Sequence, residues 1–412
     1  MDRKLKSLIV TTFAHFSNDS VFLIYPLLIT YYTLMPGLNL VLLGALAIVY
    51  QLIYGAVSTP IGIIADRSKN EGFMVAVGIA ILGISMLAFA GSFAITGLRL
   101  PFIIAGVLLL GTGTAFYHPI GASILKGIYG KKAAAMMGIN GSAGSFGRSV
   151  MPIILVFLIT ALGASFALGL IGIELLAASG IVYVGLMAFN KSIGAGFKGL
   201  HAPNHLKKTA AAKISILKSG YAGVLFPLVA VIFVRSMFMT GVYTFVPDYL
   251  KVVTHSEVLV GTILSISFVF AIFGQLFFGY VTSKKGGRYT ITTTAFVSAI
   301  SFVLFMYAGG NIYFALAALS IFIFVTFNGF AVILGYVNQL VPDRIANSSN
   351  AFTWGIGQIF GGAAGVGFMT LLLNYVSITD AMWYMSIFMF IAIFMLPLLY
   401  RKSKNGRKGK TK

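Results

Sequence analysis

Long unbroken apolar runs, parted by short polar turns, dominate the chain. A helix needs about 20 mostly apolar residues to cross the hydrocarbon core of a bilayer. Twelve runs meet that length: 8–33, 42–65, 73–93, 101–125, 133–162, 165–189, 221–250, 258–281, 289–307, 312–340, 347–373 and 381–399. Their continuity, without strict alternation, predicts helices and not a β-barrel. The fold class expected is an all-α integral membrane protein.

Basic residues test that count independently. With the N-terminus placed in the cytoplasm, 25 of the 29 Lys and Arg fall in that terminus, the turns on its side and the tail. The opposite turns keep only Arg99 and Lys251, and the runs themselves Arg148 and Arg235. This asymmetry predicts a multi-pass protein of the cell membrane with both termini cytoplasmic. It also accounts for the net charge of +20 without nucleic acid, since the charges mark topology and anionic lipid surfaces. The chain lacks Cys, and its five His show no zinc spacing, so neither metal nor cofactor is expected. The first run is long and followed by further spans, so it reads as a retained helix and not a cleaved signal.

The stretch around 191–219 is the one long polar connection, with six Lys. It divides the chain into a six-helix bundle over 1–190 and another over 220–400, leaving a basic tail at 401–412. The halves repeat weakly: Pro26 aligns with Pro247, and Gly62 with Gly279, each glycine preceding a basic turn. Parallel repeats of this kind place a binding site near the midplane, between halves that rock around it. Gly138, Gly141, Gly144 and Gly147, and a second series from Gly355 to Gly367, predict closely packed or sliding helices.

Gly62-Ile63-Ile64-Ala65-Asp66-Arg67-Ser68-Lys69 resembles the loop signature of the major facilitator superfamily. Within it, His15-Phe16-Ser17-Asn18-Asp19 with Tyr25-Pro26-Leu27-Leu28, Phe116-Tyr117-His118-Pro119, Gly144-Ser145-Phe146-Gly147 and Leu340-Val341-Pro342-Asp343-Arg344 resemble the fosmidomycin-resistance family of drug exporters. The chain differs from that pattern at Ile120, Arg148 and Ser283, where an acid, a small residue and an Asp are usual. The resemblance implies two pseudo-symmetric six-helix bundles working by alternating access. It also implies a gate at Gly62, Asp66 and Arg67, with the Asp66 carboxylate facing the N-terminus of the eleventh helix.

Ionisable residues within the runs are costly there and therefore informative. Asp19, Glu174, Arg148, Arg235, His15 and His118 form the set at membrane depth. His15 and Asp19, four apart, share a helix face. A carboxylate in a partly dry cavity suits reversible protonation, which makes Asp19 the candidate proton-coupling group, with His15 modulating it. The alternative is a structural pair between Asp19 and Arg148 or Arg235. Those two arginines are candidates for holding an anionic head through bidentate hydrogen bonds. His118, beside the helix-bending Pro119, is a further candidate for substrate contact or else caps a freed carbonyl; Tyr243, Asn328, Trp354 and Gln358 are candidates for stacking or hydrogen bonding to substrate, with helix packing as the alternative.

Together these readings predict a non-enzymatic secondary transporter. It would act as a monomer and move a small organic solute, anionic or drug-like, by proton-coupled export. An importer on the same scaffold is the alternative. A receptor or a membrane-embedded enzyme fits least, since no signalling domain or cluster of catalytic groups is present, and no phosphate-binding loop supports nucleotide-driven pumping.

Overall fold

A computed structural model describes residues 3–67, 70–129, 133–196 and 220–399. The described residues form helices and turns, with no strand. Twelve helices cross in succession. α1 comprises Arg3–Ser20, a 3-10 turn at Val21–Leu23 and Ile24–Tyr32; α2 is Leu40–Arg67, α3 Glu71–Ala94, α4 Arg99–Tyr129, α5 Ala133–Leu162 and α6 Ala164–Gly196. α7 is Ala222–Thr254, α8 Glu257–Lys285, α9 Gly287–Tyr307 and α10 Ile312–Leu340, interrupted at Phe327 and Asn328. α11 comprises Asp343–Phe352, a π-helical stretch Thr353–Phe360 and Gly361–Leu372; α12 is Ile378–Phe394. The expected linker lies outside the described residues from 197 onward, as does the tail at 401–412.

Eleven of the helices are long and apolar enough to span a membrane by themselves. The exception is α1, whose first segment carries Thr11, Thr12, His15, Ser17, Asn18 and Asp19. Its interruption has a local cause. Pro26 has no N–H for the carbonyl one turn back, so the chain tightens into the 3-10 turn just before it. Large apolar side chains such as Phe157, Phe166, Val184 and Phe394 are two-thirds exposed or more, as a lipid-facing surface requires.

The packing repeats between the halves. α3 lies on α4 and α6 in the first half, and α9 on α10 and α12 in the second; α1 packs on α5 as α7 does on α11. The halves meet through α5 on α8 and α2 on α11, the two pairs that such a repeat exchanges. Glycine makes the approaches close. A Cβ on Gly147 would sit 2.6 Å from the Phe16 carbonyl oxygen, and one on Gly361 2.6 Å from that of Phe233.

One apolar core joins both halves on the side away from the termini, running through Tyr25, Leu43, Phe245 and Met369. A separate core, with Leu228, Ile232, Ile333 and Val337, holds the second half on the terminal side. On the far side the halves are also stitched by hydrogen bonds from Ser149 Oγ to the Ser265 carbonyl (2.9 Å) and from the Ile153 amide to Ser265 Oγ (2.9 Å).

Candidate functional site

Between the halves lies a cavity of about 160 Å³. Its lining begins at midplane with Asp19, Phe22, Tyr50, Thr114 and Tyr243 and continues to Leu125 and Met137. Those last two stand within about one turn of the terminal-side ends of α4 and α5. The lining therefore runs from midplane toward the terminal side.

Asp19 sits at the closed end and is almost fully buried. Arg148 of α5 pairs with its Oδ2 through Nη2. His15 Nε2 approaches the same oxygen at 3.0 Å, close enough for an ion pair though bent from a straight hydrogen bond. His118 Nε2 of α4 stands 3.5 Å from Oδ1, which also accepts from Asn18 Nδ2 at 2.9 Å. Gly144 makes room for this gathering, since a Cβ there would lie 2.5 Å from Asp19 Oδ2 and 2.6 Å from His15 Nε2. Of the two partners expected for Asp19, the structure selects Arg148.

The guanidinium of Arg148 lies over Phe22 of α1 (5.3 Å) and Phe327 of α10 (5.9 Å), so rings from both halves enclose it. His15 stacks on Tyr117 with centroids 4.5 Å apart. Asn140 of α5 faces His15 Nδ1 with Oδ1 at 2.7 Å and donates through Nδ2 to the Tyr117 hydroxyl at 2.8 Å. His15, Asp19 and His118 offer three ligand atoms within 4.8 Å of one another, the one such group among the described residues able to gather round a metal ion. Arg148 already occupies the shared oxygen, and its charge opposes a second cation there.

Most candidates from the sequence converge here. His15, Asp19, His118, Arg148, Tyr243, Trp354 and Gln358 all line the cavity. Arg235 and Asn328 are buried outside the lining: Arg235 leaves Nε and Nη2 without hydrogen-bond partners, and Asn328 spends its amide on the Val325 carbonyl beside the interruption in α10. Gly62 faces Pro119 of α4, and a Cβ on it would lie 3.6 Å from Pro119 Cβ, an ordinary contact. The side chains of Asp66 and Arg67 lie outside the described residues. Glu174 is exposed on α6.

Several residues escaped the reading of the sequence. Tyr50, Gln51 and Tyr54 of α2, Asn140 of α5 and Gln275 of α8 also line the cavity. The set of ionisable residues at membrane depth omitted Asp248 of α7, which is buried and whose Oδ2 has no partner. A lone amide or carboxyl inside an apolar run was the signal available for Asn140 and Asp248.

The Major Facilitator Superfamily model matches residues 8–366. The chain belongs to that superfamily. It is 26% identical over 399 residues to an uncharacterised MFS-type transporter, YfnC, of Bacillus subtilis (strain 168), covering 95% of this chain and 90% of that one. It is 23% identical over 372 residues to the fosmidomycin resistance protein of Escherichia coli (strain K12), covering 89% and 86%. Among solved structures, a POT family transporter in complex with 5-aminolevulinic acid superposes with a TM-score of 0.72 at 14% identity, over 95% of both chains. A peptide transporter POT in complex with sulfate does so at 0.67 and 15% identity, over 96% and 93%. These neighbours share the fold: a transporter scaffold of two six-helix halves around a central cavity.

Proposed function

We propose that this superfamily member couples protons to the export of a small organic solute across the cell membrane, as a monomer with cytoplasmic termini. The observation that carries the reading is the buried Asp19–Arg148 pair at the closed end of a cavity walled by both halves. A carboxylate clasped by a guanidinium and flanked by two imidazoles is a device with two exchangeable occupants. A proton at Asp19 weakens its hold on Arg148, and an anionic head on Arg148 weakens its hold on Asp19. Asp19 and His15 serve as the proton site. Arg148, His118, Tyr243, Trp354 and Gln358 meet the solute, while Gly62, Asp66 and Arg67 act in the gate on the terminal side.

Export is supported by the name of the fosmidomycin resistance relative. The importer reading has its own support in the pair itself. An anion that takes Arg148 leaves Asp19 without its main counter-charge, so anion and proton favour each other's binding, and ligands that bind together travel together. A solute with a cationic head would instead compete with the proton for Asp19 and exchange against it.

The deciding experiment reconstitutes the protein in vesicles loaded with a pH-sensitive dye and adds organic anions, cations and neutral drugs in turn. Solute entry that acidifies the lumen marks co-transport, and entry that alkalinises it marks exchange. Proton movement that persists in Asp19→Asn removes Asp19 from the coupling role.

A further inference from the structure

The hydrogen bonds behind His15 determine where its hydrogen sits. The Tyr117 hydroxyl lies 2.7 Å from the Thr11 carbonyl oxygen and 3.0 Å from Asn140 Oδ1; its single hydrogen takes the shorter contact, to the carbonyl, which can only accept. The hydroxyl oxygen is then an acceptor, and the Asn140 atom that serves it at 2.8 Å must be the amide nitrogen. That orients Asn140 Oδ1 toward His15 Nδ1 at 2.7 Å, and an acceptor there requires a hydrogen on Nδ1. A neutral His15 so held would leave Nε2 without a hydrogen 3.0 Å from Asp19 Oδ2, off the line of a straight hydrogen bond. Two acceptors repel at that distance, so the contact calls for a cation between them. Arg148 on the same oxygen disfavours a metal ion, which leaves a proton.

We propose that Tyr117 and Asn140 are positioning residues that commit His15 to the Nδ1–H tautomer, so that the exchangeable proton of the cycle is stored on the bridge between His15 Nε2 and Asp19 Oδ2. On release the proton passes to water in the cavity, leaving a neutral Nδ1–H imidazole and a carboxylate held by Arg148, His118 and Asn18. The titratable and charged groups on the elements around this bridge are Tyr50 and Tyr54 of α2, Tyr117 and His118 of α4, Arg148 of α5 and Tyr243 of α7. α3 and α6 also touch α1 but bring no ionisable group into the cavity lining. The inference rests on the proton-coupled reading but fails separately from it, because the position of a hydrogen on His15 can be observed without transport.

The test is nitrogen NMR of the full-length protein in lipid nanodiscs with 15N-labelled histidine, the His15→Gln variant assigning the His15 signals. Wild type and Asn140→Asp, which keeps an acceptor at Nδ1, are expected to show a protonated Nδ1 and an exchangeable hydrogen at Nε2. Asn140→Leu is expected to convert neutral His15 to the Nε2–H form and to abolish coupled proton movement in vesicles. A neutral Nε2–H tautomer in wild type, or no change of tautomer in Asn140→Leu, would overturn the proposal. So would a joint shift of the His15 and His118 Nε2 signals on adding one equivalent of Zn²⁺, since a metal ion would then fill the bridge. A tautomer as stated, with no solute-linked proton movement in wild type, would sink the coupling reading alone.

Discussion

The Asp19–Arg148 pair lends itself to a double-mutant cycle. The Asp19 and Arg148 side chains are 4% and 12% exposed, so removing either partner strands a charge away from water. Breaking a buried pair from one side costs about 3–5 kcal/mol, whereas replacing both partners by apolar groups is close to neutral. Unfolding entropies of about 2.1 cal/mol/K per residue, taken over the whole chain, convert that loss into a fall of roughly 5 °C in Tm. The two single variants should differ. Asp19→Leu leaves the guanidinium with Ser145 and the rings of Phe22 and Phe327, and should show the full loss. Arg148→Met leaves Asp19 with His15, His118 and Asn18, and should lose about half as much. The double variant should recover to within about 2 °C of wild type. Intrinsic fluorescence of the two Trp follows unfolding in detergent, and thiol dyes are silent because the chain has no Cys. Losses that simply add in the double variant would refute the idea that the two charges answer each other.

Three further outcomes follow from particular side chains. Gly144→Ala pushes a methyl group against Asp19 and His15, and overpacking of this kind should cost about 1–3 kcal/mol, read as a Tm lower by up to roughly 3 °C and as lost coupling; a variant with unchanged Tm and coupling would show that the cluster tolerates more room than its geometry allows. Asp248 lies buried without a cation on its free oxygen, while Lys251 one turn on is engaged by Glu257, so Asp248→Asn should hold the unfolding free energy within about 1 kcal/mol of wild type; a loss of several kcal/mol would mean that the carboxylate has an ionic partner. In intact cells, a membrane-impermeant maleimide should label Thr96→Cys and leave Ser403→Cys untouched, and the opposite pattern would invert the topology.

The scaffold was legible because a bilayer leaves few options. Every buried backbone group must be satisfied within its own span, so twelve long apolar runs and a one-sided distribution of Lys and Arg were enough to set out the helices. The site was legible where cost betrays purpose: Asp19, His15, His118 and Arg148 stand out because charge at that depth needs a partner, and the structure places them together. Which arginine answers Asp19 depends on helix rotation and on Gly144 clearing the space, and neither is written in spacing along one helix. Arg235 shows the limit, since depth alone suggested the cavity and rotation of α7 sends its side chain elsewhere. Tyr50, Tyr54 and Asn140 were missed for a related reason. Tyrosines and amides are common in transmembrane helices, and only the fold shows which of them face the same cavity.

The interruptions in α1 and α10 give the site a way to report to both halves. The first places Phe22, and the second Phe327, over the guanidinium of Arg148, with the two rings edge to face at 5.9 Å. Helix ends are where backbone can turn with least loss of hydrogen bonding, so both rings stand at points where a helix can bend. If Arg148 swings from Asp19 to a solute, the rings that enclose it must repack, and one belongs to each half. The exchange of one ion pair for another is thereby tied to a change in how the halves meet, on the side already sealed by Ser149 and Ser265. Alternating access requires this linkage between occupancy and closure: a site that bound solute without moving a residue shared by both halves would have no means of choosing which side to open.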